Sequence, residues 1–366
     1  MDHAPDTSDH LADLNLDPNE ASGLVRVDDQ RLLERRGWDR AFWSVLDEVD
    51  IADGLALLGH RSGGDLARDW EVERVACRRI GDAGPADDAE AIARKGDWVY
   101  AFGSQHGGKQ GPIRLREQWV ARFREAGVTP QGDDGAEPAV ELDVVHTEFR
   151  LHRILNDSLR DGDLDVIAFH PASREAFITK TIAELAGTDA AGRVRDTDWT
   201  VNVEGAEFTP TGALLLGLRF PVTADGCPIV VQLDGVERMF AERRGWPEVT
   251  ALWAIEAPVR GGDLAGVRDL CLHDDRLHVV VGDLDSAGKQ SVLREDYPQG
   301  RDTVTTHVEA RLDPAAQGGR LSARLVREFP EHPRIEGIAA DGEGSFFYVS
   351  DEDEAVHLRC TPLLGG

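Results

Sequence analysis

The sequence predicts an all-β fold of the β-propeller class, in which four-stranded sheets stand radially around a central channel. Two observations lead to this prediction. A short apolar strand, a polar turn and a second apolar strand recur along the 366 residues, and this order is typical of a β-hairpin. In most copies an acidic residue opens the first strand and a small residue follows it, as in Glu204-Gly205 and Glu336-Gly337. A hairpin repeated in this way indicates one propeller blade per copy.

The hairpin occurs six times, so the sequence predicts six blades. The last copy, residues 334–354, is the clearest, because a Gly-rich turn separates its two apolar strands. The first copy is poorly defined, and the interval between the third and fourth copies is shorter than the others. Alignment on the small or apolar pair places one residue of each copy at an equivalent position: Ser22, Glu90, Asp165, Glu204, Arg268 and Glu336.

The remaining segments complete the predicted ring. Residues 1–10 are predicted to be an acidic tail, and residues 11–366 a single propeller domain. The apolar residues of 11–16 predict a strand that joins the last blade, which otherwise lacks its outer strand, and so closes the ring without open sheet edges. Residues 31–60 have apolar residues at mixed spacings, and two interpretations stay open: a helical insertion in the first blade, or a degenerate pair of strands.

The composition indicates an acidic globular protein, with a formal net charge of −28 and a hydrophobic content of 41%. Such a charge disfavours nucleic acids and acidic membrane surfaces as partners and favours cations. The same acidity also serves solubility, and both interpretations stay open. Residues 1–10 have no basic region and no apolar segment, so no signal peptide is predicted. The four cysteines are far apart and form no CxxC pair, which predicts reduced thiols in a cytoplasmic protein.

Several short motifs resemble those of a bacterial family known as domain of unknown function 3616. They are the Glu-Gly openings at 204–205 and 336–337, the segments GSQHG and GLRFP, the segment GVRDL at 266–270, and the final YVSDEDE. The resemblance covers roughly residues 20–360 and is weakest in the first blade, where Ser22 stands at the acidic position. That family is similar to phytase-like and gluconolactonase-like six-bladed β-propellers, so the resemblance implies the fold. It implies no settled activity.

The propeller topology predicts where a site would lie. The first strand of each blade begins, and the second ends, at the same face of the ring, so these ends meet around one opening, which we call the channel mouth. Four acids are predicted to converge there: Glu90, Asp165, Glu204 and Glu336. The residues predicted to lie beside them are Ser104, His106, Arg219, Arg268, Asp283, Asp285, Ser350 and Asp351.

Converging carboxylates repel one another unless a positive charge compensates them. One interpretation is a bound divalent cation such as Ca²⁺, which takes six to eight oxygen ligands. The resemblance to gluconolactonase-like propellers implies Glu204 and Glu336 as metal ligands, and Asp283 and Asp351 are further candidates nearby. The other interpretation is a structural network, in which basic residues of the same ring pair with the acids: Arg219, Arg268 and Arg334.

His106 is the only histidine in a loop that leaves a second strand, so it is the candidate general base at the channel mouth. A solvated loop residue is the alternative. Two other motifs are incomplete. Residues 103–109 match the start of a phosphate-binding loop, but Gln110 replaces Ser or Thr and Pro112 prevents an immediate helix. Asp283-Leu-Asp285 matches part of a calcium loop, but Ala287 stands at a ligand position.

Two classes of function remain open on this basis, and the sequence does not decide whether the protein is an enzyme. The first is a propeller without catalytic activity that binds a small molecule, a cation or a protein partner at the acidic channel mouth. The second is a metal-dependent hydrolase, lactonase-like or phosphoesterase-like, in which a metal polarises a substrate oxygen and activates water. A cluster of acids without a well-placed base favours binding.

Overall fold

The computed structural model describes residues 10–15, 20–47, 49–129, 139–242, 245–285, 290–313, 316–331, 334–342, 344–352 and 355–362. Within these residues β-strands dominate. The strands of the first half are β1 (His10–Leu14), β2 (Ala21–Arg26), β3 (Trp38–Leu46), β4 (Leu55–Arg61), β5 (Trp70–Gly81), β6 (Ala89–Lys95), β7 (Trp98–Gly103), β8 (Trp119–Arg124) and β9 (Ala139–His146). Those of the second half are β10 (Asn202–Phe208), β11 (Leu214–Phe220), β12 (Ile229–Asp234), β13 (Glu248–Glu256), β14 (Gly266–His273), β15 (Arg276–Gly282), β16 (Thr306–Arg311), β17 (Gly319–Glu328), β18 (Ile335–Ala340), β19 (Ser345–Glu352) and β20 (Ala355–Pro362).

Short helices lie between the strands. They are α1 (Gln30–Arg36), α2 (Arg150–Asp161), α3 (Pro171–Ser173), α4 (Lys180–Leu185), α5 (Arg238–Glu242) and α6 (Val292–Asp296). A π-helical turn covers Arg174–Thr179, and 3₁₀ turns cover Leu115–Glu117, Glu125–Gly127 and Pro298–Gly300. No helix in the described part of the chain is long and apolar enough to cross a membrane.

The strands form five four-stranded antiparallel units: β2–β5, β6–β9, β10–β13, β14–β17, and β18–β20 together with β1. The first strands of these units, β2, β6, β10, β14 and β18, pack against one another in this order, and β18 packs against β2. They therefore form a closed inner ring, which is the arrangement of a β-propeller. The described residues contain five such blades, so the prediction of six is not confirmed.

The missing blade is the predicted third hairpin, residues 163–180, whose second half is helical. Pro171 occupies the first turn of α3, where its missing N–H breaks no helical hydrogen bond. Phe177 and Ile178 are fully buried in the π-helical turn that follows. Helices α2 to α4 thus form an insertion between the second and third blades. This insertion explains the irregular spacing of the repeat, since Asp165 opens no strand.

The N-terminal strand closes the ring, as the sequence predicts. Strand β1 pairs antiparallel with β20, from His10 opposite Cys360 to Leu14 opposite Val356. Ala12 and Leu14 point into the core of the last blade and are buried. His10, predicted as the end of the acidic tail, already belongs to this strand, and the other nine residues of that tail lie outside the described residues.

Residues 31–60 contain both elements that the sequence left open. Helix α1 comes first and begins one residue before this range, at Gln30. Asp29 is its N-cap, and Gly37 is a left-handed C-cap at φ 71°. Strands β3 and β4 follow and are the second and third strands of the first blade. The mixed apolar spacing arises because a one-sided helix precedes two strands that are buried on both faces.

The hydrophobic core is divided among the interfaces between neighbouring blades. Trp43 of the first blade packs edge-on against Phe123 of the second, with ring centroids 4.8 Å apart. Comparable buried clusters fill the other interfaces around the ring. At the outside of the ring, β5 pairs in parallel with β9, and β13 pairs in parallel with β17. These pairings cover outer edges that would otherwise expose unpaired backbone groups.

Candidate functional site

A β-bulge near the start of four inner strands positions the charged residues of the site. In the second blade Ala89 pairs with Gly103 and Ala91 with Phe102, so one residue between them has no partner in the ladder. The same shift occurs in the third, fourth and fifth blades. The extra residues are Glu90, Glu204, Arg268 and Glu336. Because a bulge bends the strand and redirects its side chain, the repeat detected in the sequence is the trace of these bulges.

A small residue follows three of the four bulges, and the two glycines among them allow the inner strands to approach closely. A Cβ atom added to Gly205 would lie 3.1 Å from Cα of Asp269, and one added to Gly337 would lie 3.0 Å from the carbonyl carbon of Gly23. Both distances are shorter than normal contacts, so a larger residue would force the strands apart. The Glu-Gly pair therefore has two separate tasks: the glycine permits the narrow ring and the glutamate faces its opening.

Three of the bulged residues, Glu90, Glu204 and Glu336, line a cavity of about 460 Å³ at the channel mouth. One carboxylate oxygen from each of Glu90, Glu204 and Glu336 lies within 4.8 Å of the other two. Such a spacing is compatible with a shared divalent cation, for which Ca–O bonds are about 2.3–2.6 Å. Asn202, the first residue of β10, and Ser22, near the start of β2, also line the cavity.

Two arginines compensate two of these three carboxylates. The Arg219 guanidinium donates from Nη1 to Oε1 of Glu204 at 2.8 Å. Arg268 donates to Glu336 and also lies with Nη1 3.5 Å from Oε2 of Glu204. Burial opposes ionisation of Glu204, but Arg219 and Arg268 outweigh it and hold the Glu204 pKa below its usual value. The structural network that the sequence left open is thus present for these residues.

Glu90 is the third carboxylate, and among the described residues it forms no hydrogen bond or ion pair. Burial raises the pKa of Glu90 well above its usual value, and the negative charges of Glu204, Asp88 and Asp47 raise it further. Arg268 lowers the Glu90 pKa only as a smaller, opposing effect. Glu90 is therefore a carboxyl group at the channel mouth whose charge no side chain in the described structure neutralises by contact.

Further acids near Glu90 were not predicted from the sequence. Asp88 accepts a hydrogen bond from the hydroxyl of Ser104, yet burial and the charge of Glu204 raise its pKa to about 6. Burial and the charge of Asp88 raise the pKa of Glu117 to about 8. Other lining residues missed by the alignment are Glu20, Asp47, Asp87, Lys109, Arg114, Arg116 and Asn202. Asp47 directly follows β3, the second strand of its blade, as Asp283 directly follows β15. The repeat could therefore have predicted Asp47 from the sequence.

His106 lines the same cavity, as the sequence predicts. Its Nδ1 lies 2.8 Å from the hydroxyl oxygen of Thr200, and its ring stacks on Phe177 with centroids 4.7 Å apart. Burial lowers the pKa of His106 to about 4, so the ring is neutral at pH 7. A neutral imidazole is able to accept a proton, although such a low pKa makes it a weak base.

Six predicted residues are not among those that line the cavity. Two of them, Ser104 and Arg268, contact the lining residues Asp88 and Glu336. Asp165 lies in the loop after α2, where its carbonyl accepts the N–H of Ala224 at 2.7 Å, because the third predicted hairpin does not form. Asp283 does not line the cavity, since its carboxylate accepts from Arg294 at 3.0 Å and from the N–H of Thr303 at 2.7 Å. Ser350 is buried under β20 away from the lining. The side chain of Asp351 lies outside the described residues, whereas Asp285 does line the cavity.

No protein-family model matches the chain, so the resemblance to the domain of unknown function 3616 family is not confirmed. No curated protein sequence matches it either.

Solved structures show low-level similarity over the length of the chain. A calcium structure of a Trichoderma reesei carbohydrate-active enzyme of family AA12 is 9% identical, with 98% of this chain and 96% of that one covered and a TM-score of 0.42. A GH43 endo-arabinanase from Bacillus licheniformis is 11% identical, with 95% of both chains covered and a TM-score of 0.38. A protein with a provisional gluconolactonase assignment is 12% identical, with 98% and 94% covered and a TM-score of 0.36. The assignment of five blades rests on the strand pairing described above.

Proposed function

We propose that the channel mouth binds a small, positively charged ligand and that Glu90 is its anchoring carboxylate. The observation that carries the proposal is the imbalance within the triad of Glu90, Glu204 and Glu336. Their oxygens lie within 4.8 Å of one another, but Arg219 and Arg268 contact only the latter two. A cation beside Glu90 would neutralise the one carboxylate of this triad that the two arginines do not contact.

The surroundings of the cavity support the same proposal. Its volume of about 460 Å³ falls in the range of about 300–1,000 Å³ typical of small-molecule sites. Several lining ions pair with each other, such as Asp87 with Arg116 at 3.3 Å and Glu117 with Arg114 at 3.3 Å. Asp88 and Glu90 are two of the acids whose pKa values are raised, and the charge of Asp88 contributes to the shift of Glu90. A positively charged ligand placed beside them would lower both pKa values.

A thermal-shift screen tests the proposal. The purified protein is heated in low salt with calcium, magnesium, manganese, zinc or a small diamine, because a ligand of the folded state raises the melting temperature. We expect at least one cation to stabilise the wild type and to lose its effect in Glu90→Gln. The control is Glu248→Gln, an exposed carboxylate on the outer strand β13. If no cation shifts the melting temperature of the wild type, the proposal fails.

A second candidate function is a metal-dependent hydrolase at the same mouth, of the lactonase-like or phosphoesterase-like kind. The observation that favours it is the neutral His106 on the wall of the cavity that holds the triad. Glu90, Glu204 and Glu336 would hold the divalent cation, which supplies electrophilic activation of a substrate oxygen when it is bound. His106 would accept a proton, with Thr200 fixing the orientation of its ring.

The triad fits a metal in geometry but less well in charge. Three oxygens within 4.8 Å suit one divalent ion. However, guanidinium groups already contact Glu204 and Glu336, and a divalent ion placed among them would be repelled. Turnover of a panel of lactones and phosphate esters in the presence of divalent metals tests this candidate. It requires activity that His106→Asn abolishes, and activity equal in both proteins would exclude His106 as the base.

A further inference from the structure

We infer that the ligand of the channel mouth is an organic amine that donates several N–H hydrogen bonds, and not a bare metal ion. This inference rests on the proposed binding of a cation beside Glu90 and narrows the class of cation. Three observations carry it: the charge already present around the triad, an unpartnered buried acceptor in the cavity wall, and the size of the cavity.

The charge around the triad suits a monovalent group. With Glu90 ionised beside a bound cation, the three carboxylates of the triad against Arg219 and Arg268 leave an excess of one negative charge among these five groups. One ammonium group balances this excess. A divalent ion would instead bring a net positive charge into a region where both guanidinium groups are more than nine-tenths buried, and like charges repel strongly when water is excluded.

The buried acceptor is Oδ1 of Asn202, whose side chain lines the cavity and is only 8% exposed. Nδ2 of the same amide donates to Oε1 of Glu204 at 3.0 Å. A carboxylate only accepts, so this contact fixes which amide atom is the nitrogen and leaves the oxygen without a partner in the described structure. Oε2 of Glu204 is also buried without a hydrogen bond, but Arg268 Nη1 lies 3.5 Å from it. The amide oxygen of Asn202 therefore requires a donor, and buried polar atoms normally have one.

The volume of the cavity agrees with a molecule of several atoms. A single water occupies about 30 Å³ of liquid volume, and a bare metal ion occupies less. The cavity of about 460 Å³ is more than ten times larger than the volume of one water molecule. A short diamine or amino-bearing polyol would place one ammonium group against Glu90 and retain further polar groups for the remaining wall.

Isothermal titration calorimetry of the full-length protein at pH 7 and low salt tests the inference. The probes are 1,4-diaminobutane, tetramethylammonium, Ca²⁺ and Mg²⁺. Tetramethylammonium has the charge of an ammonium group but no N–H donor, so it separates hydrogen bonding from charge. We expect 1,4-diaminobutane to bind and tetramethylammonium to bind at least tenfold more weakly.

Two variants localise the binding. Asn202→Ser removes the amide acceptor without changing the net charge, and we expect about a tenfold loss of diamine affinity, as for one hydrogen bond to a charged group. Glu90→Gln should cost at least as much, and Glu248→Gln should leave the affinity unchanged. Melting curves without ligand show whether each variant is folded, and the comparison of probes on the wild type does not depend on any variant.

Each outcome separates the inference from the proposed function. Equal binding of tetramethylammonium and 1,4-diaminobutane would overturn the requirement for N–H donors. Binding of Ca²⁺ or Mg²⁺ alone, lost in Glu90→Gln, would overturn the inference and leave the cation site in place. Absence of binding by all four probes would overturn the inference and count against the proposed function as well.

Discussion

The substitution Glu204→Gln should destabilise the fold, whereas Glu90→Gln should not. The Glu204 side chain is 2% exposed, and it lies against Arg219 at 8% and Arg268 at 4% exposure. Removing one partner of a buried ion pair costs about 3–5 kcal/mol, because the other charge stays buried without compensation. Arg268 keeps Glu336, and a glutamine retains one acceptor for Arg219, so we expect the lower end, about 3 kcal/mol.

Glu90→Gln removes a carboxyl group that no described residue neutralises by contact. Because burial and neighbouring acids already raise the Glu90 pKa, its charge is unfavourable in the folded state. We therefore expect the free energy of unfolding of this variant to stay within about 0.5 kcal/mol of the wild type, or to exceed it. The two variants make the same chemical change 4.8 Å or less from each other.

Urea unfolding followed by tryptophan fluorescence measures both effects. With a slope of about 3 kcal/mol per molar urea, a loss of 3 kcal/mol lowers the midpoint by about 1 M. The reasoning would be refuted if Glu204→Gln unfolded within about 1 kcal/mol of the wild type, or if Glu90→Gln lost as much stability as Glu204→Gln.

Three further predictions concern pH, the narrow ring and its closure. Burial raises the folded pKa of Asp88 to about 6, so the folded form binds the proton more tightly than the unfolded chain, and stability should fall by about 2 kcal/mol between pH 4 and pH 6. Asp88→Asn should remove this contribution from unfolding curves measured across that window. Gly337→Ala would place a Cβ atom 2.5 Å from Cγ1 of Val349, so it should lower the free energy of unfolding in urea by about 1–3 kcal/mol. Gly127→Ala is the control and should be neutral, because the nearest atom to its added Cβ lies 3.8 Å away. Equal effects of the two substitutions would contradict the close approach of the strands. Leu14→Ala should lower the free energy of unfolding by about 2–3 kcal/mol, because Leu14 is only 4% exposed in the closing strand β1. Leu11→Ala should change it little, because Leu11 is 40% exposed on the same strand. A neutral Leu14→Ala would mean that β1 does not close the ring.

The repeat could be read from the sequence because each blade begins with the same local geometry. The residues that occupy bulges are Glu90, Glu204, Arg268 and Glu336. A small residue follows three of them, where the inner strands of neighbouring blades approach closely. Both requirements act on adjacent residues, so they leave a short motif. The closing strand was predictable for the same reason, since a single strand after Glu354 leaves an unpaired edge that β1 covers.

The hairpin predicted at residues 163–180 does not form, and the sequence suggested it because short apolar runs do not distinguish a strand from a buried helix. Residues 166–169 and 176–178 have the length and composition of two strands joined by a turn. Phe169, Phe177 and Ile178 are buried because the helical insertion packs in one cluster with Phe220, at the end of β11, and with Tyr297. Pro171, one residue into the helix, was the local signal that favoured a helix start.

Most of the missed site residues lie in loops, where no periodic pattern marks them. Asp88 precedes β6 at a positive φ of 64°, and Glu117 belongs to a 3₁₀ turn between β7 and β8. Their proximity to Glu90 results from the path of these loops over the mouth. The compensation by Arg219 was foreseeable only as one of two alternatives, because pairing depends on side-chain geometry at less than 3 Å.

A crystal structure of the protein grown in the presence of 1,4-diaminobutane would locate the bound amine directly. We expect density for the amine at the channel mouth, with a nitrogen within hydrogen-bonding distance of Glu90 and of Oδ1 of Asn202, and with Arg219 still paired to Glu204. Density for a spherical ion coordinated by Glu90, Glu204 and Glu336, with Arg268 displaced, would contradict this expectation. So would a mouth that holds only water while the amine binds elsewhere on the propeller.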